Sequence, residues 1–160
     1  MELQRIPGED KKRNGQDNQQ MGEAMIEATK NEIRNLPIYQ AEIKRLKEKR
    51  EELIYHEENV KGVSFDRSPG TTNPSVLAEK RLDMIEIIVR IEEEIAELET
   101  LCKRAKRVLN AMEKEDRDLV REVLIERKSY REVCEEKNIS STSVLHGRIN
   151  AIIEEAIKKA

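Results

Sequence analysis

The sequence is poor in aromatic residues, which make up 2% of its 160 positions: one Phe, three Tyr and no Trp. Strands and broad globular cores usually draw on aromatic and β-branched side chains, so this scarcity disfavours a sheet-rich fold. Charged residues instead make up 39% of the chain, a composition typical of long helices with narrow apolar stripes. We therefore predict an all-α protein.

Residues that bind metals or act as nucleophiles are also scarce. The two cysteines, Cys102 and Cys134, lie far apart, and the two histidines are His56 and His146. We predict buried free thiols and no metal site, because no C-x-x-C spacing or His/Cys cluster is present. The sequence also has no nucleophile–base pair and no phosphate-binding glycine loop, so we predict neither an enzyme nor a cofactor.

Long apolar runs are missing as well. A membrane-spanning helix needs about 18 or more consecutive apolar residues, and a secretory leader needs a shorter apolar segment after a basic start. Neither pattern occurs in this sequence. We expect a cytoplasmic protein with no membrane contact.

Charge is unevenly distributed, although the net charge is only −3. Residues 103–160 hold 14 Lys/Arg against 11 Asp/Glu, whereas residues 1–102 hold 16 against 22. The sign of this asymmetry favours the C-terminal third as the part that contacts an anion.

The first two thirds of the chain read as a tail followed by a helical hairpin. Residues 1–21 are polar, contain Pro and Gly, and predict a disordered tail. Residues 22–112 predict two long helices joined by a connector at 61–75, which holds two prolines and two glycines. Pro37 is expected to break or kink the first helix.

Both long helices carry a heptad stripe, the pattern of helices that pack side by side. The first stripe is Tyr39, Ile43, Leu46, Arg50, Leu53, Glu57 and Val60, with Arg50 and Glu57 as charged exceptions. The second is Leu77, Met84, Ile88, Ile91, Ile95, Leu98, Cys102, Ala105, Leu109 and Met112, interrupted at Arg81. Because a lone stripe would stay in water, we predict an antiparallel hairpin, homo-oligomerisation through the long helices, or both.

Residues 113–160 predict three short helices and a tight turn. The helices are expected at about Lys114–Arg127, Ser129–Lys137 and Ser140–Lys159. Ser129 with Glu132 matches a capping box, and Ser140 is the second expected N-cap. Asn138 suits the left-handed conformation that the turn requires. This spacing is typical of a helix-turn-helix, with Val133 and Cys134 expected to pack against Val144.

These residues resemble region 4 of sigma-70-type RNA polymerase sigma factors. Within that group the chain is most similar to late-transcription regulators of the RinA/ArpU type from phages of Gram-positive bacteria. The similarity is carried by Asp116–Val120, Ser129–Cys134 and Ile139–Val144, and by the connector with Ser68-Pro69. Two positions depart from the family pattern: Lys137 and Gly147 stand where it has leucines.

The resemblance implies a sequence-specific regulator that binds double-stranded DNA in a bacterial host cell, with RNA polymerase as a further partner. It places Ser141, Thr142, Leu145, His146 and Arg148 on the groove face of the last helix. Phosphate contacts are expected from a set of four cations: Arg127, Lys128, Arg131 and Lys137. The rotation of the last helix stays open, because Leu145, Ile149, Ile152 and Ala156 form a rival apolar stripe.

Two other functions fit parts of the pattern. A phage terminase small subunit also combines a helix-turn-helix with helical hairpins, although its DNA-binding part is usually N-terminal. A structural coiled-coil protein would explain the long stripes and the acidic net charge, with the C-terminal helices forming a bundle.

Overall fold

The computed structural model describes the backbone of residues 9–61 and 74–160, and the side chains of residues 22–59 and 75–160. All regular secondary structure in these segments is helical. The elements are α1 (Glu9–Lys61), α2 (Pro74–Asn110), α3 (Lys114–Val120) with a following π-helical turn (Arg121–Ile125), α4 (Tyr130–Lys137) and α5 (Thr142–Lys159). The long helices α1 and α2 form an antiparallel hairpin, and the short helices follow it, so the predicted all-α fold is confirmed.

The two heptad stripes are the inner faces of this hairpin. Every stripe position whose side chain is described is buried or half-buried, including the charged exceptions. Leu46, Ile91 and Ile95 form the fully buried centre, with Ile43, Leu53 and Leu98 packed around it. Burial of a Leu or Ile side chain contributes roughly 1.5–3 kcal/mol. The apolar stripes are therefore satisfied within one chain.

An ion pair crosses the hairpin at two of the charged stripe positions. Arg81 donates from Nε to Glu57 Oε1 at 3.1 Å. Glu57, one of the two charged residues in the first stripe, thus pairs with Arg81, the residue that interrupts the second stripe.

The chain divides into two compact units. One comprises residues 37–103, which is most of the hairpin, and the other comprises residues 1–36 together with 104–160. This division differs from the predicted boundary between 112 and 113. The second unit includes ends of both long helices, where Ile33 and Leu36 of α1 and Ala105 and Leu109 of α2 are buried. An ion pair within this unit, Arg104 Nη2 to Glu32 Oε1 at 2.6 Å, also joins α1 to α2.

The first helix begins earlier and runs further than its apolar pattern indicates. α1 starts at Glu9, inside the segment predicted to be a disordered tail, because helix-forming residues such as Lys, Arg and Gln need no apolar period to adopt a helix. It also continues through Pro37, so of the two expected outcomes the break is wrong, and the kink stays a prediction. The proline removes one hydrogen bond there, and it coincides with the boundary between the two units. Residues 62–73 of the predicted connector lie outside the described residues.

The remaining expectations on the fold concern the thiols and membranes. Cys102 and Cys134 are both buried, and neither forms a disulfide, as predicted. In the part of the chain that the structure describes, no helix combines the length and the apolar character needed to cross a bilayer.

Candidate nucleic-acid interface

The turn between α4 and α5 is built around Asn138. Its φ of 54° and ψ of 42° place it in the left-handed region, as predicted. Its backbone N–H and that of Ile139 both donate to the Cys134 carbonyl oxygen, which closes the C-terminus of α4. The Cys134 thiol donates to the Ser141 carbonyl oxygen at 3.4 Å, so the turn is tied to the helix that follows. These contacts form a helix-turn-helix arrangement.

Serine side chains cap both helices at their N-termini. Ser129 Oγ accepts from the Glu132 N–H at 3.1 Å, which confirms the expected cap. The second cap is Ser141, whose Oγ accepts from the Val144 N–H at 3.2 Å, so the prediction of Ser140 is wrong by one residue. Adjacent serines have the same capping chemistry, and the sequence alone does not separate them. Successive residues of a helix point about 100° apart, so the rotation of α5 about its axis decides which of its side chains are buried.

This rotation changes which side chains of α5 face outward. Leu145 is fully buried at 0% exposure, so its expected place on a groove face is wrong. Val144, which was expected to pack against Val133 and Cys134, is 52% exposed. The buried side of α5 is the rival stripe of the sequence with one addition: Leu145, Ile149, Ile152, Ile153 and Ala156. Because apolar burial outweighs one exposed valine, the longer stripe sets the orientation.

The polar residues predicted for the groove face remain at the surface. Ser141, Thr142 and His146 are exposed, although the Ser141 hydroxyl is already engaged as a cap. The His146 ring stacks on Tyr130 of α4, with ring centroids 6.0 Å apart and planes 26° apart. The Asn150 side-chain nitrogen lies 3.4 Å from His146 Nδ1. His146 thus also braces α5 against the start of α4.

Three of the four cations predicted to contact phosphates are paired with carboxylates. Lys128 Nζ lies 3.6 Å from Glu136 Oε2. Arg131 Nε lies 3.5 Å from Glu135 Oε1, and Lys137 Nζ lies 3.7 Å from Glu122 Oε1. Glu136 and then Glu122 raise the pKa of the Lys128 ammonium group above its ordinary value. The Arg131 pair is highly exposed, and such pairs contribute only about 0.2–1 kcal/mol, so a phosphate can displace the carboxylate.

Two arginines differ from these cations. Arg127 and Arg148 are exposed, and neither forms an ion pair with another described residue. Arg127 also has a φ of 55°, a conformation that bulky side chains seldom adopt. It follows the π-helical turn, where the Lys128 N–H donates back to the Glu122 carbonyl oxygen at 3.1 Å.

The turn and the first two thirds of α5 lack acidic residues. From Lys137 to Ile153 the chain contains no Asp or Glu, the longest such stretch in a sequence with 33 of them. Helices α3 and α4 both carry acids in their first turn, whereas α5 carries none. Acids at a helix start are favoured by the helix dipole, so their absence from α5 is not explained by helix stability. The exposed side of this stretch holds Lys137 and Arg148 as its cations.

The outward face of α5 also contains three residues outside the predicted groove face. Ser143, Val144 and Gly147 are exposed, and a Cβ placed on Gly147 would meet no atom within 4 Å. Gly147 therefore does not occupy a core position, and Lys137 likewise lies at the surface beside Glu122. The rival stripe could have identified this face, because it fixes the opposite side of the helix.

The chain was compared with known proteins. It matches no protein-family model, no curated protein and no solved structure. Among the described residues, no group of His, Cys, Asp and Glu side chains could hold a metal ion.

Proposed function

We propose that this protein is a sequence-specific, phage-encoded transcriptional regulator that binds duplex DNA through the helix-turn-helix of residues 113–160. The acid-free tip of α5 is the observation that carries the proposal. A helix enters the major groove with its leading turns, and any carboxylate there would repel the phosphates on both sides. In a chain with 33 acidic residues, the longest stretch without them includes this tip.

The mechanism follows from the positions of the cations and hydroxyls. Thr142 and Ser143, at the start of α5, are placed to donate to base edges or phosphates. Among the described residues, Arg148 and Arg127 have no carboxylate partner to release before they meet a phosphate. Arg131 first has to leave Glu135, a small cost for an exposed pair. Phosphate contacts then position the helix, and base contacts select the sequence.

The proposal is tested by selecting duplexes from a random library with the full chain at moderate salt. A sequence-specific regulator enriches a motif. A coiled-coil scaffold enriches none, and that result would overturn the proposal. One observation favours the coiled-coil scaffold: three of the predicted phosphate-binding cations already pair with carboxylates, namely Lys128, Arg131 and Lys137.

A pair of variants on α5 separates DNA contact from general charge. Arg148→Ala should weaken binding to the selected duplex, and the dependence of log K on log salt should fall by about 0.9, the value for one lost phosphate contact. Lys158→Ala removes the same charge from the other end of α5, where Lys158 is exposed and lies 3.6 Å from Glu154. It should leave both quantities unchanged. Equal effects of the two variants would mean that the tip of α5 has no special role.

The proposed regulator acts as a homo-oligomer through its long helices and has RNA polymerase as a second partner. Packaging by a terminase-like small subunit is the alternative within DNA binding. Mass measurement in solution distinguishes the two, because a regulator is expected to be a small oligomer and a packaging protein a large ring.

A further inference from the structure

We infer that Val144 contacts the 5-methyl group of a thymine in the major groove and makes the bound sequence depend on that base. The inference rests on the proposed function, since it names what one side chain of the proposed interface recognises. Its starting point is the rotation of α5, which buries Leu145 and leaves Val144 52% exposed.

The place of Val144 in the helix is unusual for its chemistry. It is the third residue after the Ser141 cap, where Glu or Gln is the stabilising choice because its side chain can complete a capping box. Helix α4 has Glu132 at the equivalent position after Ser129. A β-branched valine has a lower helix propensity and adds no cap. The Val144 side chain therefore contributes little to the stability of the fold. Its backbone N–H donates to the Ser141 hydroxyl oxygen.

Single exposed valines are common on protein surfaces, so exposure alone does not identify a partner. The surroundings of Val144 are more specific. It lies inside the acid-free stretch, and Arg148 follows four residues later, on the neighbouring part of the same helical face. Gly147, one turn from Val144, has no atom within 4 Å of its Cβ position, so the helix surface there is bare and another molecule can approach closely.

These features are complementary to a thymine-containing groove. The DNA backbone would supply the negative charge for Arg148, which forms no ion pair with another described residue. The thymine methyl is the apolar group that a standard base pair presents in the major groove, and small apolar side chains are its usual contacts. The isopropyl group of Val144, next to Gly147, can make an apolar contact with this methyl group. It can form neither a hydrogen bond nor an ion pair with a phosphate.

The test removes the methyl and nothing else. Each thymine of the selected duplex is replaced in turn by deoxyuridine, and binding is measured for the native chain and for Val144→Ser. At one position the native chain should lose about fourfold in affinity, the effect of burying one methyl-sized group. Val144→Ser should bind the thymine duplex more weakly and show no further loss with deoxyuridine at that position.

Three results would overturn the inference. The first two leave the proposed DNA-binding function in place, and the third removes it. If the same deoxyuridine effect persists in Val144→Ser, or no position responds in the native chain, Val144 does not read thymine, while DNA binding stands. If the library selection enriches no motif, the proposed function fails and the inference fails with it. The unfolding midpoint of Val144→Ser should match the native chain, because the side chain is exposed.

Discussion

Arg117 holds the last turn of α2 through the carbonyl oxygen of Leu109, to which its Nε donates at 3.0 Å. Its Nη2 donates to the Met112 carbonyl oxygen at 3.1 Å. The final carbonyls of a helix have no partners within the helix, and a cation is favoured at that end. One half-buried guanidinium thus fixes the start of α3 against the end of α2.

Replacing Arg117 should therefore destabilise the C-terminal unit. Arg117→Met keeps much of the aliphatic length and removes two charge-assisted hydrogen bonds, so we expect a loss of about 2–3 kcal/mol in the free energy of unfolding, measured in urea. Arg121→Met is the control, because the Arg121 side chain is exposed; it should change stability by less than about 0.5 kcal/mol. A similar loss in both variants would show that the carbonyl contacts contribute little.

Heptad spacing was enough to predict that each long helix packs through its stripe, and it left open whether the partner is the other helix or a second chain. Each described stripe position is buried or half-buried because a repeat of seven keeps one side of a helix facing its neighbour. The spacing could not show that Glu57 and Arg81 meet, since that depends on the vertical alignment of the two helices. Nor could it show where the hairpin ends and the C-terminal unit begins, because the same spacing continues through Ala105 and Leu109 into the second unit.

The ion pair of Glu57 and Arg81 should contribute less to stability than two leucines would. Arg81→Leu leaves Glu57, with its side chain only 14% exposed, without this partner, and should cost about 1–2 kcal/mol. The double variant Glu57→Leu with Arg81→Leu should recover the native value or exceed it, because apolar replacement of a partly buried pair is often neutral or stabilising. Urea unfolding of the two single variants and the double variant completes the cycle. A double variant weaker than Arg81→Leu would contradict this account.

Gly147 should reveal a conflict between stability and binding. Gly147→Ala is expected to stabilise the protein by roughly 0.5–1 kcal/mol, because the added methyl meets open space and alanine favours the helix. The same methyl should weaken binding to the selected duplex if α5 approaches DNA along this face. Gly22 in α1 is a matched control, since its Cβ position is also open; Gly22→Ala should stabilise without changing affinity. Unchanged affinity in Gly147→Ala would argue against close approach at that residue.

A substitution at Arg127 should likewise raise the stability of the protein while it weakens DNA binding. Its φ of 55° costs a residue with a Cβ roughly 1–2 kcal/mol, so Arg127→Gly should raise the unfolding free energy by about 1 kcal/mol. Loss of the guanidinium should weaken DNA binding and lower the salt dependence by about 0.9. Asn138→Gly at φ 54° is the control, and it should gain less, because asparagine tolerates this conformation. A stabilised Arg127→Gly with native affinity would remove Arg127 from the interface.

The orientation of α5 shows why its site was predicted only in part. The residue types needed for a helix-turn-helix were evident, and Asn138 and Ser129 adopt their expected roles. The groove face was expected from the family resemblance, and the rival stripe of Leu145, Ile149, Ile152 and Ala156 left the rotation of the helix open. The structure buries Leu145 and leaves Val144 exposed. Packing of the whole C-terminal unit decides the rotation, and local capping chemistry does not contain that information.

The last prediction concerns self-association, which needs a surface other than the hairpin seam. The seam is filled within one chain, whereas Leu82, Ile85 and Val89 of α2 are exposed at heptad steps of three and four. If the proposed oligomer forms through the long helices, Ile85→Lys should reduce the mass measured by light scattering to that of a monomer, because a lysine in an apolar contact must be desolvated. Glu86→Lys changes the adjacent position by two charges and should leave the mass unchanged. An oligomer that persists in Ile85→Lys would place the contact elsewhere, and a native chain that is monomeric would refute self-association through these helices.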